Sequence, residues 1–135
     1  NFWQDADNDG WGVGGAQCLC GPADPVDAAQ PGDCFDGNPN ARPGQGGWFV
    51  EPRGAGGLGF DYNCDGVEQR RWEQSAGSCR FFGDFCDGGA GYDGGAPGCG
   101  GSRPWKEDCY YSTSGWPWDW GCYWRHSNNR RQSCR

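Results

Sequence analysis

DADNDGWG, residues 5–12, places carboxylates at Asp5, Asp7 and Asp9 and follows them with Gly10. Carboxylates at alternate positions repel one another once the chain closes on itself, unless a cation sits between them. The spacing is that of the first half of a calcium loop. Positions 1, 3 and 5 give side-chain oxygens, a glycine at 6 makes the sharp turn, and position 7, here Trp11, gives its backbone carbonyl. The acid that closes an EF-hand at position 12 is missing, because Ala16 stands there. Any closing carboxylate has to come from elsewhere in the chain.

Two further stretches offer one. In FDYNCDG, residues 60–66, Asp61, Asn63 and Asp65 alternate, Gly66 follows and Val67 takes the carbonyl position. Gln69 and Trp72 fall where ligands 9 and 12 would be, so this loop is also half a motif. Between the two lies GDCFDGNPNARPG, residues 32–44, with Asp33, Asp36 and Asn38 in a turn stiffened by Pro39 and Pro43. Two half-loops with an acidic turn between them are expected to complete one another around calcium, since hard cations take clustered oxygens. The competing reading is a set of Asx-turns, in which Asp, Asn and Gly serve the backbone alone. FCDGGAGYDGG, residues 85–95, carries Asp87 and Asp93 and is either a weaker third metal site or a plain turn-rich loop.

An aliphatic core is not available to hold these loops. Gly accounts for 27 of the 135 residues, Leu19 and Leu58 are the only leucines, and Ile and Met are absent. The 10 cysteines supply the alternative, up to five disulfides made in an oxidising compartment. The expected fold class is therefore small, disulfide-rich, metal-stabilised and mostly irregular, with short β-strands. A zinc protein fits less well: His126 is the only histidine, and Cys18-Leu19-Cys20 is poor zinc geometry by itself. A net charge of −7 argues against nucleic acid as a partner and for cations. No apolar run is long enough to span a bilayer. The absence of Met fits an exported chain whose leader has been removed, or a fragment, and the expected location is secreted or cell-surface.

Composition divides the chain into an Asp/Gly-rich calcium-binding module, 1–68, and a Cys/Trp/Arg-rich module, 69–135. Four cysteines fall in the first and six in the second, so each could close its own disulfides. Trp48-Phe49-Val50 and Arg80-Phe81-Phe82 are short strand candidates, and residues 104–124 hold one or two strands, with Pro117 at an edge or turn. Trp116, Trp118 and Trp120 would share one face of an extended segment, where Arg125, Arg130, Arg131 and Arg135 could stack against them. Three readings of this cluster compete: a small aromatic core, a protein–protein surface, and a sugar-stacking surface. No catalytic constellation is visible. His126 stands alone, no nucleophile elbow occurs, and the carboxylates sit at calcium-like spacing, so the chain reads as a non-enzyme.

DADNDGWG, then a cysteine-bearing Pro loop, then GDCFDGNPNARPG, then FDYNCDG, resembles the metal-binding repeat of secreted bacterial proteins of the MopE type. It is also similar to the calcium repeats of thrombospondin type 3. The resemblance covers about the first half of the chain. It implies that Asp5, Asp7, Asp9, Asp33, Asp36, Asp61, Asn63 and Asp65 ligate Ca2+. Phe35 departs from it, standing where a second Asp often follows the Cys, and so does the inserted Gly-rich span 44–59, expected to add a loop without changing the site. The second half loosely resembles the Trp–Arg ladder of thrombospondin type 1 repeats and the Cys/Trp-rich tails of myxobacterial surface proteins. Together these imply an extracellular calcium-binding structural protein, a cell-surface or fibre-forming subunit that associates with itself or with other surface proteins. The alternative is a glycan-binding adhesion module with exposed tryptophans.

Overall fold

The computed structural model describes all residues, 1–135. The chain forms two compact units, residues 1–71 with 133–135, and residues 72–132. It contains no α-helix, short strands and irregular connections, with four disulfides. The expected small, disulfide-rich, mostly irregular class is what is found.

In the first unit, β1 (Phe2–Gln4), β2 (Trp11–Gln17), β3 (Val26–Ala28) and β4 (Gln30–Pro31) form one sheet in the order β3-β1-β2-β4. DADNDG, residues 5–10, is the connection between β1 and β2, which pair antiparallel, and Trp11-Gly12 opens β2. Gly12 sits inside β2 because nothing larger fits: a Cβ there would lie 2.5 Å from Trp3 Cβ and 2.6 Å from the Gln4 carbonyl. Residues 32–71 add turns but no strand. The candidate strand at 48–50 is reduced to a single bridge, in which Phe49 and Cys134 exchange both backbone hydrogen bonds at 2.9 and 2.8 Å. The last three residues, grouped by composition with the second module, thus lie in the first unit, where Arg135 also stacks on Trp48 at 4.6 Å. The buried apolar residues here are small or aromatic, among them Ala28, Ala41 and Tyr62, with Tyr62 stacked on Phe49 at 3.9 Å.

The second unit is organised by a long hairpin, β8 (Ser102–Ser112) and β9 (Gly121–Arg131), with β7 (Gly91–Tyr92) on its edge. Residues 104–124 therefore contribute to two strands, and Pro117 lies in the 3-10 turn between them, Pro117–Asp119. Pro104 falls inside β8, where the register shifts between Arg103 and Trp105; a residue without an N–H is tolerated at such a bulge. A separate two-stranded piece, β5 (Arg80–Phe81) and β6 (Cys86–Asp87), is tied to the hairpin by Cys79–Cys109 and Cys86–Cys122. Tyr92 and Trp105 are buried, with rings edge-to-face at 5.0 Å. Trp72 joins them at 6.3 Å from Trp105. With no Leu, Ile, Val or Met in residues 72–132, aromatic rings are the large apolar groups available for a core.

The tryptophans are divided differently from the expectation. Arg130 stacks over Trp105 at 3.9 Å and over Trp72 at 5.0 Å, and Arg125 over Tyr110 at 5.5 Å. Trp116, Trp118 and Trp120 form no strand face. They surround the apex turn, 66%, 76% and 48% exposed, with the Trp116 and Trp118 rings parallel at 5.0 Å. Pro117 breaks the extended run that would have aligned them.

Eight cysteines are disulfide-bonded, and Cys18 and Cys20 are free thiols. Four disulfides thus form, within the expected maximum of five. Cys34–Cys64 joins two stretches of the first unit that carry candidate ligands.

Candidate metal centre

Asp5 builds the loop. It is 5% exposed, and its two oxygens accept the N–H groups of Asp9 at 3.1 Å and Gly10 at 2.9 Å. Asp9 Oδ1 then accepts the Trp11 N–H at 2.8 Å. These Asx-type bonds coil the backbone tightly enough to need positive φ at Asn8 (62°) and Gly10 (88°). Trp11 is where the coil ends and β2 begins.

The acidic turn reaches this loop through the sheet. The Gly12 carbonyl accepts the N–H groups of Gly32 at 3.0 Å and Asp33 at 3.3 Å, just beyond β4, which runs parallel to β2. Asp36 Oδ1 accepts the Ala6 N–H at 2.5 Å. Carboxylate oxygens of Asp5, Asp7 and Asp36 consequently lie within 4.8 Å of one another. Asp33 is 9% exposed, with Oδ1 fixed by the Phe35 N–H at 2.8 Å.

Four oxygens in this cluster are buried without a well-formed hydrogen bond: both of Asp7, Asp9 Oδ2 and Asp33 Oδ2. Such atoms are costly unless something positive meets them. The Asp7 carboxyl is pushed up to about 6, first by burial, then by the charges of Asp9 and Asp33 and, more weakly, Asp5, against a lowering by the Asn38 backbone. Asp33 is raised as well, again first by burial; the Phe35 N–H opposes this, and Asp9, Asp36 and Asp5 add to it. No Lys or Arg appears among the groups acting on either acid. The arrangement is a set of hard oxygen donors without a basic counterpart, which is the donor chemistry of a calcium site.

The second half-loop has the same backbone and a different outcome. Asp61 accepts the N–H groups of Asp65 and Gly66 at 3.2 and 3.1 Å, and Asp65 Oδ1 accepts the Val67 N–H at 2.8 Å. Positive φ falls at Cys64 (57°) and Gly66 (85°). Residue for residue this repeats the bonds of Asp5, Asp9 and Trp11. Here, however, the charges are met locally. Asp65 Oδ2 accepts from Asn63 at 2.8 Å and Gln69 at 3.0 Å. The Arg53 guanidinium stands 3.9 Å from Asp61 Oδ2 and donates to the Asp61 carbonyl at 2.8 Å. Neither Asp61 nor Asp65 is among the charges raising Asp7 or Asp33.

The mutual completion read from the sequence is therefore only half realised. Asp5, Asp7, Asp9, Asp33 and Asp36 come together. Asp61, Asn63, Asp65 and Val67 form a separate coil, linked to the acidic turn by Cys34–Cys64. Asn63 Oδ1 is buried and unpartnered, the one oxygen of that loop left in this state. The insertion 44–59 is not neutral, since it carries Arg53. Asn38 uses its side chain on backbone groups, accepting from the Asn40 N–H in its own turn at 3.1 Å and donating to the Arg53 carbonyl of the insertion at 2.8 Å. The sequence reading passed over Asp27, in β3, which has one buried unpartnered oxygen; its lack of an i, i+2 partner gave no signal. In the second unit Asp87 and Asp93 build no site. Asp87 caps the Gly88 N–H, and Asp93 pairs with Lys106 at 2.8 Å, a hydrogen bond that holds its carboxyl below the ordinary value. His126 is exposed opposite Lys106 in the β8–β9 register.

No protein-family model matches the chain, and neither a curated protein nor a solved structure matches it.

Proposed function

We propose that the chain is an extracellular calcium-binding structural module, a subunit of a cell surface or fibre, in which Ca2+ and disulfides do the work of an apolar core. One observation carries this reading: the four buried oxygens of Asp7, Asp9 and Asp33 that lack a well-formed hydrogen bond. Asp5, Asp7, Asp9, Asp33 and Asp36 would hold the ion, with the Trp11 carbonyl as the loop pattern expects. The ion would supply charge neutralisation. Asp5 and Asp9 hold the coil in shape, and Asp36 and Asp33 bring the second segment to it. Binding free energy then becomes folding free energy, because the unfolded chain has no such cluster. The four disulfides, and the lack of any helix long and apolar enough to cross a membrane, agree with an extracellular setting. Self-association or contact with other surface proteins is the partner chemistry this role calls for, and no catalysis is assigned.

A second reading is favoured by the exposed Trp116, Trp118 and Trp120 around the hairpin apex: adhesion to glycans through ring stacking. Thermal unfolding with disulfides intact separates the calcium reading from its failure. Excess Ca2+ is expected to raise the melting temperature over that in strong chelator, and equal values after full exchange would remove it. Glycan-array binding that survives in the chelator and is lost in a W118A variant would instead favour adhesion.

A further inference from the structure

We infer that Cys18 and Cys20 are the points at which this chain is joined covalently to further copies of itself. Eight cysteines of the same chain are oxidised, so the protein matures where disulfides form. Cys18 and Cys20 alone are free, and both are exposed. They follow the end of β2, and the residue between them, Leu19, is half-buried. The segment leaves the sheet after Gln17 and bends at Cys20, with both thiols at the surface.

A bond between the two would close a tight ring around Leu19 alone, and very short, stiff loops are costly to close. Two accessible thiols so close in sequence instead suit a two-fold contact, in which Cys18 of one copy meets Cys20 of the next and the reverse. If each thiol takes a different neighbour, the same chemistry extends into a covalent chain.

The reaction is thiol–disulfide exchange. The Cys18 thiolate attacks a low-molecular-weight disulfide, expelling one of its thiolates and forming a mixed disulfide. The Cys20 thiolate of a second copy attacks the protein sulfur of that bond and expels the second small thiolate. Two protein thiols lose two electrons and two protons, and the small disulfide takes them up as two thiols. The inference deepens the assembly part of the proposed function and rests on it, but not on calcium.

The test uses the full-length protein with its native disulfides, incubated with glutathione disulfide in excess Ca2+ and, separately, in chelator, then run without reductant. The expected result is a covalent dimer or ladder in the calcium arm that collapses to monomer on reduction, with interchain peptides carrying Cys18 and Cys20. A C18S/C20S variant is expected to lose every covalent species while its Ca2+ titration is unchanged. Peptide maps retaining Cys34–Cys64, Cys79–Cys109 and Cys86–Cys122 identify the species as native. A monomer with both thiols free, with Cys18 bonded to Cys20, or with both capped by glutathione in both arms overturns the inference. Cross-linking that is equal in both arms, with no calcium bound, overturns the calcium reading and leaves this one standing.

Discussion

Asp7→Asn is expected to move stability in opposite directions with and without calcium. Asp7 makes no well-formed hydrogen bond, and its carboxyl is raised from 3.8 to about 6 by burial and by Asp9, Asp33 and Asp5, against a weaker lowering by the Asn38 N–H. At pH 7 the folded protein holds that group ionised against its environment. A shift of about two units corresponds to at most about 3 kcal/mol, and relaxation of the loop brings the working figure to about 1–3 kcal/mol. The isosteric amide removes that cost, so the variant in strong chelator should unfold at higher urea than the parent. In calcium the order reverses, because a charged ligand has become neutral and affinity should fall about 10–100-fold. Urea unfolding in both conditions, with calorimetric titration of Ca2+, reads both signs. Asp61→Asn is the control. Its oxygens serve the Asp65 and Gly66 N–H groups, so its loss should weaken the protein by about 1 kcal/mol in either condition and leave the tight Ca2+ affinity alone. The reasoning is refuted if Asp7→Asn destabilises equally in chelator and calcium, since Asp7 would then be a structural acceptor like Asp61.

The pH dependence carries the same sign logic. Asp7 and Asp33 are raised in the folded state, so their contribution is fully present below the unfolded value of 3.8 and is lost as pH rises through the folded values, about 6 for Asp7. In chelator the protein should therefore be more stable near pH 4.5 than at pH 7, with the difference shrinking in Asp7→Asn, and in saturating Ca2+ the order should invert; urea midpoints at the two pH values measure this. Arg130→Ala should cost about 1–2 kcal/mol, because the guanidinium lies over both Trp105 and Trp72, and Arg130→Lys should recover only part of it; thermal melts of the two variants decide.

The local loops were legible because they are local. The i, i+2, i+4 acids and the following glycine specify a coil through bonds of short sequence range, and both coils formed as their spacing requires. The long hairpin was half legible. Residues 104–124 signalled strands and Pro117 signalled a break, but the register with Arg130 and Arg131 is a tertiary fact. The fate of the tryptophans was not legible at all. Period two put Trp116, Trp118 and Trp120 on one face, yet arginine covers Trp105 and Trp72 instead, because pairing of β8 with β9 brings Arg130 to them, and Arg135 covers Trp48. Nor did any local signal show that Arg53, inside a Gly-rich insertion, reaches Asp61 and Cys34.

Arg53 explains why one spacing leads to two outcomes. The coil itself needs no ion: Asp at position 1 and Asp at position 5 close it on backbone N–H groups in both loops. What differs is position 3 and the surroundings. At residue 63 an amide replaces the acid of residue 7 and donates to Asp65, while Arg53 faces Asp61, so the second loop is satisfied by protein groups. At residue 7 the acid remains, Asp33 and Asp36 are brought against it, and no basic side chain follows. Residues 1–71 with 133–135 carry eleven acidic against five basic residues, so little cationic charge is at hand to replace an ion. The motif is thus a folding device first. On the proposed calcium reading, ion dependence would enter only where extra carboxylates crowd the coil, at Asp7 and Asp33, and not through the Asp-x-Asp-x-Asp-Gly spacing as such.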